Sequence, residues 1–172
     1  WKAFDISVVN KSFYNDIKKA FDSLIDDDWL KGAIRQEEER KQFAVRLIGR
    51  IIFSWFLKKK EIISDNVLSS KAVKQYEYYY SEMLEKLFFG VFNTPIGKRG
   101  KLPTEIRDYP FLNGGLFESK SGDYEGKILL KNQWFFDLFN STLEKYNFTI
   151  DETSIIAFYL LNLDFYDDNI LC

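Results

Sequence analysis

Between Phe43 and Phe56 the apolar residues come as adjacent pairs at four-residue intervals, Phe43-Ala44, Leu47-Ile48, Ile51-Ile52 and Trp55-Phe56. At 3.6 residues per turn these doublets make a stripe wider than one neighbouring helix can cover. The spacing predicts a helix over about 36–60, set at the centre of a bundle and more buried than any other. Its ends agree: Glu37-Glu38-Glu39 puts acid in the first turn and Lys58-Lys59-Lys60 puts base in the last, as the macrodipole prefers. Arg46 and Arg50 lie four apart beside the stripe. They suit phosphate, partner carboxylates or solvent, the last two being the simpler readings. The lysine run is a helix end that a DNA backbone can also meet.

Three further helices follow from the same period. One starts from Asn10 as N-cap, carries Phe13, Ile17, Ala20, Phe21 and Leu24, and stops near Ile25, because Asp26-Asp27-Asp28 opposes the dipole there. A long one over 70–92 carries Val73, Tyr76, Tyr80, Met83, Leu84, Leu87, Phe88, Val91 and Phe92 up to the stop at Asn93-Thr94-Pro95. In it Tyr76, Tyr80, Met83 and Leu87 share a core face, and Tyr78 or Tyr79 is free to face a partner domain. Asn132 caps the last helix, whose Trp134, Phe135, Leu138, Phe139, Leu143 and Tyr146 run in register to Asn147.

Periodicity is lost over 96–132, where all three prolines and most of the glycines fall nearby. A loop region this long inside a compact domain is expected to be functional or to carry short strands. The bases Lys98, Arg99, Lys101 and Arg107 outnumber the single acid Glu105 and mark a flexible basic tip. Asn113-Gly114-Gly115 is a turn signature, since Asn tolerates and Gly freely adopts positive φ, with Phe111, Leu112, Leu116 and Phe117 as apolar shoulders. A small two-stranded sheet is expected, pairing 115–118 with 148–150. The stretch 119–126 reads as an exposed polar loop, and Ile128-Leu129-Leu130 as a short strand or the lead into the last helix.

Composition narrows the chemistry. A net charge of −2, from 24 basic and 26 acidic side chains, argues against a module that binds nucleic acid by bulk electrostatics, while local patches stay open. The absence of His excludes imidazole acid–base work in this chain, and its one Cys, Cys172, can form neither an internal disulfide nor a metal cluster. No apolar run approaches 18 residues, so a soluble cytoplasmic protein without membrane contact is expected. The chain opens on Trp1 and reads as a piece of something longer.

Three glutamate-x-lysine triplets occur, Glu39-Arg40-Lys41, Glu118-Ser119-Lys120 and Glu125-Gly126-Lys127, but no proline-aspartate dipeptide accompanies them to complete a Mg²⁺ site. Asp108-Tyr109-Pro110-Phe111 lacks the second proline of a base-holding Asn/Asp-Pro-Pro-Tyr loop, and no glycine-rich cofactor turn is present. No catalytic residue and no metal site is expected.

Read in order, Arg46-Leu47-Ile48-Gly49-Arg50, then 53–60, 79–89, Asn93-Thr94-Pro95, 111–118 with Leu112-Asn113-Gly114-Gly115-Leu116-Phe117, and finally Tyr146-Asn147-Phe148-Thr149-Ile150-Asp151-Glu152, resemble the region ahead of the methyltransferase core in type IIG restriction–modification enzymes. Those are single chains that join a DNA endonuclease to an adenine methyltransferase. The resemblance covers about 4–153 and includes a first helix entered from a Phe-Asp pair, here Phe4-Asp5. It implies a mainly α connector domain of four to five helices over 1–153, touching DNA through the parent enzyme and packed between nuclease and methyltransferase modules. S-adenosylmethionine and Mg²⁺ are then expected for the parent and not for this chain. Residues 154–172 depart from the family pattern and read as a divergent tail, cut before the methyltransferase core. The rival reading is an independent helical module whose aromatic faces bind a protein partner.

Overall fold

A computed structural model of the chain describes residues 2–112 and 114–146, with side-chain detail from Lys11 onward. The described residues form six helices and contain no β-strand: α1 (Lys2–Ile25), α2 (Asp28–Ala33), α3 (Glu37–Lys59), α4 (Ser70–Val73), α5 (Tyr80–Leu84 and Lys86–Phe92, joined through Glu85) and α6 (Asn132–Leu138, continued by Phe139–Leu143). The mainly helical bundle expected from periodicity is what folds. No helix among them is long and apolar enough to cross a membrane.

The doublet stripe of α3 does what its width requires. Its buried residues Phe43, Ala44, Leu47, Ile48, Ile51, Ile52 and Trp55 meet partners on several sides. Phe43 meets Tyr80 of α5 edge-on, and Trp55 stacks on Phe139 of α6 at 5.7 Å between centroids. Each large side chain so buried contributes about 1.5–3 kcal/mol. The helix α5 is nevertheless the more completely enclosed: between Tyr80 and Phe92 only Ser81, Glu82, Lys86 and Gly90 are not buried. Both halves of α5 are wound as π-helix, as is the end of α6, with five-residue hydrogen bonds such as Glu85 N–H to the Tyr80 carbonyl and Asn93 N–H to the Phe88 carbonyl.

Helix α1 lies across α3 and α6. Its Phe13 packs edge-on against Tyr146, and the Trp134 indole N–H donates to the Ala20 carbonyl at 2.9 Å. The helix is already formed at Lys2, so Asn10 lies inside it and is not its cap. The acidic run ends α1 as expected and also starts α2, because the Asp27 carboxylate accepts from the Trp29 and Leu30 amides. Periodicity gave no sign of so short a helix.

The single helix expected over 70–92 is broken at 74–78. A tertiary contact causes the break: the Asn132 side chain accepts from Tyr79 N–H at 2.9 Å and donates to the Tyr76 carbonyl at 2.8 Å, while Glu82 accepts from Tyr78 N–H. Asn132 therefore does not cap α6, whose N-cap is Lys131. Tyr79 is fully buried, with its hydroxyl donating to the Val67 carbonyl, and offers nothing to a partner.

The expected sheet is not supported. Gly115–Phe117 is a turn of 3₁₀ helix that drives Phe117 among Phe53, Phe88 and Phe92. Arg50 takes the Leu116 and Glu118 carbonyls that a strand ladder would need. The other proposed strand, 148–150, lies outside the described residues, as do Asp151, Glu152, the tail 154–172 and Cys172.

Candidate nucleic-acid interface

The loop after α5 is built from its inside outward. Ile106 is fully buried, Leu102 fills the space beside Gly90, and Leu112 N–H donates to the Phe92 carbonyl at 2.8 Å. Arg99 then ties both arms together. Its guanidinium donates to the carbonyls of Val91 (3.0 Å) in the last turn of α5, Thr94 (3.0 Å) just beyond it and Arg107 (2.6 Å) across the loop. Tyr109 accepts from Ser64 N–H at 3.0 Å and fastens the loop to the segment after α3. The basic loop is thus tied by hydrogen bonds along both of its arms.

Of the four bases singled out from sequence, Arg99 faces inward as this clamp, whereas Lys98, Lys101 and Arg107 are exposed. None of those three makes an ion pair with another described residue, although Arg107 donates to the Thr104 hydroxyl at 3.1 Å. Glu105 and Asp108 are the exposed acids of the same loop.

The glycine turn is less demanding than its sequence implies. Gly114 is extended at φ −161°, neither Gly114 nor Gly115 has positive φ, and a Cβ at either would meet nothing within 4 Å. Asn113 lies outside the described residues.

The strongest polar cluster is internal. Asp123, 1% exposed, receives Arg46 Nε at 2.7 Å, an Arg50 Nη at 2.9 Å and the Lys120 amide at 2.8 Å. Burial pushes its carboxyl up, but the hydrogen bonds from Arg50, Arg46 and Lys120 outweigh that and hold it below the usual carboxylate range. The arginine pair on α3 therefore answers to a carboxylate and not to phosphate. Just after Asp123 the loop is stapled twice more: Tyr124, in the left-handed region at φ 51°, donates to Glu39 at 2.9 Å, and Gly126 N–H donates to buried Glu85 at 2.6 Å. The 119–126 stretch is hence anchored through its middle, which its polar sequence hid.

The glutamate-x-lysine triplets are dispersed among these duties. Glu39 holds Tyr124, Arg40 donates to the Ile25, Ile34 and Arg35 carbonyls, and Glu118 pairs with Lys120 at 2.6 Å. Among the described residues no three acidic, His or Cys side chains stand together where a metal could sit.

A protein of Methanocaldococcus jannaschii, described as a candidate type II restriction enzyme and methyltransferase, is 33% identical to this chain over an alignment of 123 residues that covers 66% of the chain and 10% of that protein. The chain thus spans about a tenth of the length of the relative it matches, and is related to part of a restriction–modification enzyme. No family model and no solved structure matches.

Proposed function

We propose that the chain is a non-catalytic connector domain of a restriction–modification enzyme of the type IIG kind, holding a nuclease and an adenine methyltransferase at fixed reach around one DNA. The observation that carries this is how the buried charges are used. Arg40, Arg50, Glu85 and Asp123 each bond across elements of the domain itself, leaving no buried acid–base pair among the described residues free for chemistry. Relatedness to a restriction–modification enzyme supplies the context. S-adenosylmethionine and Mg²⁺ serve the modules on either side, and the whole acts in the cytoplasm, where the DNA is. Lys98, Lys101 and Arg107 meet DNA phosphates while Arg99 fixes their loop from within. Incubating the isolated chain with DNA and Mg²⁺, and titrating it with S-adenosylmethionine by calorimetry, tests the reading. No cleavage and no binding are expected; nicking, or cofactor affinity near the micromolar range, overturns it.

A further inference from the structure

Cations with no ion-pair partner among the described residues lie toward the C-terminal end of α3. The Tyr109–Ser64 hydrogen bond brings the basic loop against the chain that leaves α3, where Lys59 and Lys60 stand in the last turn and at the C-cap. Lys60 is four residues from Ser64, and Arg107 is two from Tyr109. At no more than about 3.6 Å per residue, Lys60 and Arg107 lie within on the order of 30 Å of each other, less than the roughly 34 Å turn of B-DNA. Lys59, Lys60, Lys98, Lys101 and Arg107 form no ion pair with a described residue. Lys60 rests over the Phe56 ring, whereas Lys58 beside them is tied to Asp65. Apart from Asp65, which Lys58 neutralises, five cations without an ion-pair partner among the described residues thus stand beside three exposed acids, Glu61, Glu105 and Asp108.

Acids crowd the far end. Asp26, Asp27, Asp28, Glu37, Glu38 and Glu39 sit around α2 and the first turn of α3. The 23 residues of α3 separate the two ends by about 34 Å at 1.5 Å per residue, some four Debye lengths of roughly 8 Å at physiological salt. A phosphate at the basic end is therefore screened from the acids at the far end.

We infer that Lys59 and Lys60 at the end of α3 join Lys98, Lys101 and Arg107 in one two-part face that binds the DNA phosphodiester backbone. The inference rests on the reading of the chain as part of a DNA-acting protein. It extends the contact from the loop onto a helix end, which orients α3 with its acidic end away from the duplex.

The test is the salt dependence of affinity for a mixed-sequence DNA duplex, measured on the full-length protein. Removing one cation from a phosphate should reduce the slope of log K against log salt by about 0.9. Lys59→Gln with Lys60→Gln should flatten it by about one to two units, the loop triple Lys98→Ala, Lys101→Ala, Arg107→Ala by up to about three, and the combination by their sum. Lys31→Ala with Arg35→Ala, at the acidic end, should leave the slope alone. A slope unchanged by the helix-end pair but flattened by the loop triple overturns the inference and leaves the connector reading standing. A slope unchanged by either removes DNA contact by this domain altogether. An equal flattening from the acidic-end pair shows a diffuse charge effect and also overturns the inference. Thermal unfolding of each variant, expected within a few degrees of the parent, shows that the comparison is between folded proteins.

Discussion

Two irregular loops each turn one charged side chain inward, an acid in the first and a base in the second. The 118–127 loop buries one acid, Asp123, against Arg46 and Arg50, sets Tyr124 on Glu39 and Gly126 on Glu85, and leaves Glu118, Lys120, Glu125 and Lys127 exposed. The 95–109 loop turns one base inward, Arg99, and shows Lys98, Lys101 and Arg107 to solvent. The difference lies in what faces each loop. Two arginines on α3 wait under the first, whereas beneath the second lie the backbone carbonyls of Val91 and Thr94 at the end of α5, which take Arg99. A loop charge is structural where acceptors or donors that suit it are already in place beneath it, as for Asp123 and Arg99, and stays at the surface where they are not.

The largest expected effect comes from breaking the inward loop. Asp123→Ala leaves the nearly buried Arg50 guanidinium without its counter-charge and should cost about 3–5 kcal/mol in chemical denaturation. A cost below about 1 kcal/mol would mean that water replaces the carboxylate. The same group sets a pH dependence. Its folded-state pKa is depressed, so its contribution is complete above the ordinary carboxylate value and disappears as pH falls through the depressed folded value. Asp123→Asn should remove that acid-side decline from the stability profile, and an unchanged profile would assign the decline elsewhere.

Arg99→Ala comes next. It removes a donor from the part-buried Val91 and Thr94 carbonyls and from the exposed Arg107 carbonyl, and should cost about 1–3 kcal/mol because the part-buried ones are less able to turn to water. A cost near zero would make Arg99 a surface base like its neighbours and weaken the contrast between the loops.

Smaller still, and of opposite sign, is Gly49→Ala. Gly49 lies inside α3, where a Cβ meets nothing within 4 Å, so the substitution should stabilise by about 0.5–1 kcal/mol through helix propensity alone. Destabilisation would reveal a close approach on that face which the described residues do not make.

Much of the fold was legible because period and burial agree. The doublets of α3 demanded neighbours on several sides and found them, and Asn93-Thr94-Pro95 stops α5 where it should. What stayed hidden was set by single long-range bonds. Asn132 looks like a helix cap and instead breaks the preceding helix at Tyr76 and Tyr79. Asp123 sits in a run of Ser, Gly, Lys and Glu that reads as solvated, and nothing local reveals its arginines 73 and 77 residues away. The candidate site was half visible: the cluster of bases was plain, but the sorting of Arg99 from the others depends on where α5 ends its carbonyls. Two adjacent glycines suggested a strained turn, yet Gly114 is extended and the left-handed positions belong to Glu61, Tyr124 and Gly126.

The contrast between the loops is tested most directly by giving one pair of full-length variants two readouts. Asp123→Asn should lower the unfolding midpoint while leaving the salt slope of DNA binding as it was. Replacing Lys98, Lys101 and Arg107 by Ala should leave stability within about 0.5 kcal/mol while flattening that slope by up to about three units. If the loop variant unfolds early with its slope intact, the outward cations are structural and the account of a DNA-facing connector is contradicted.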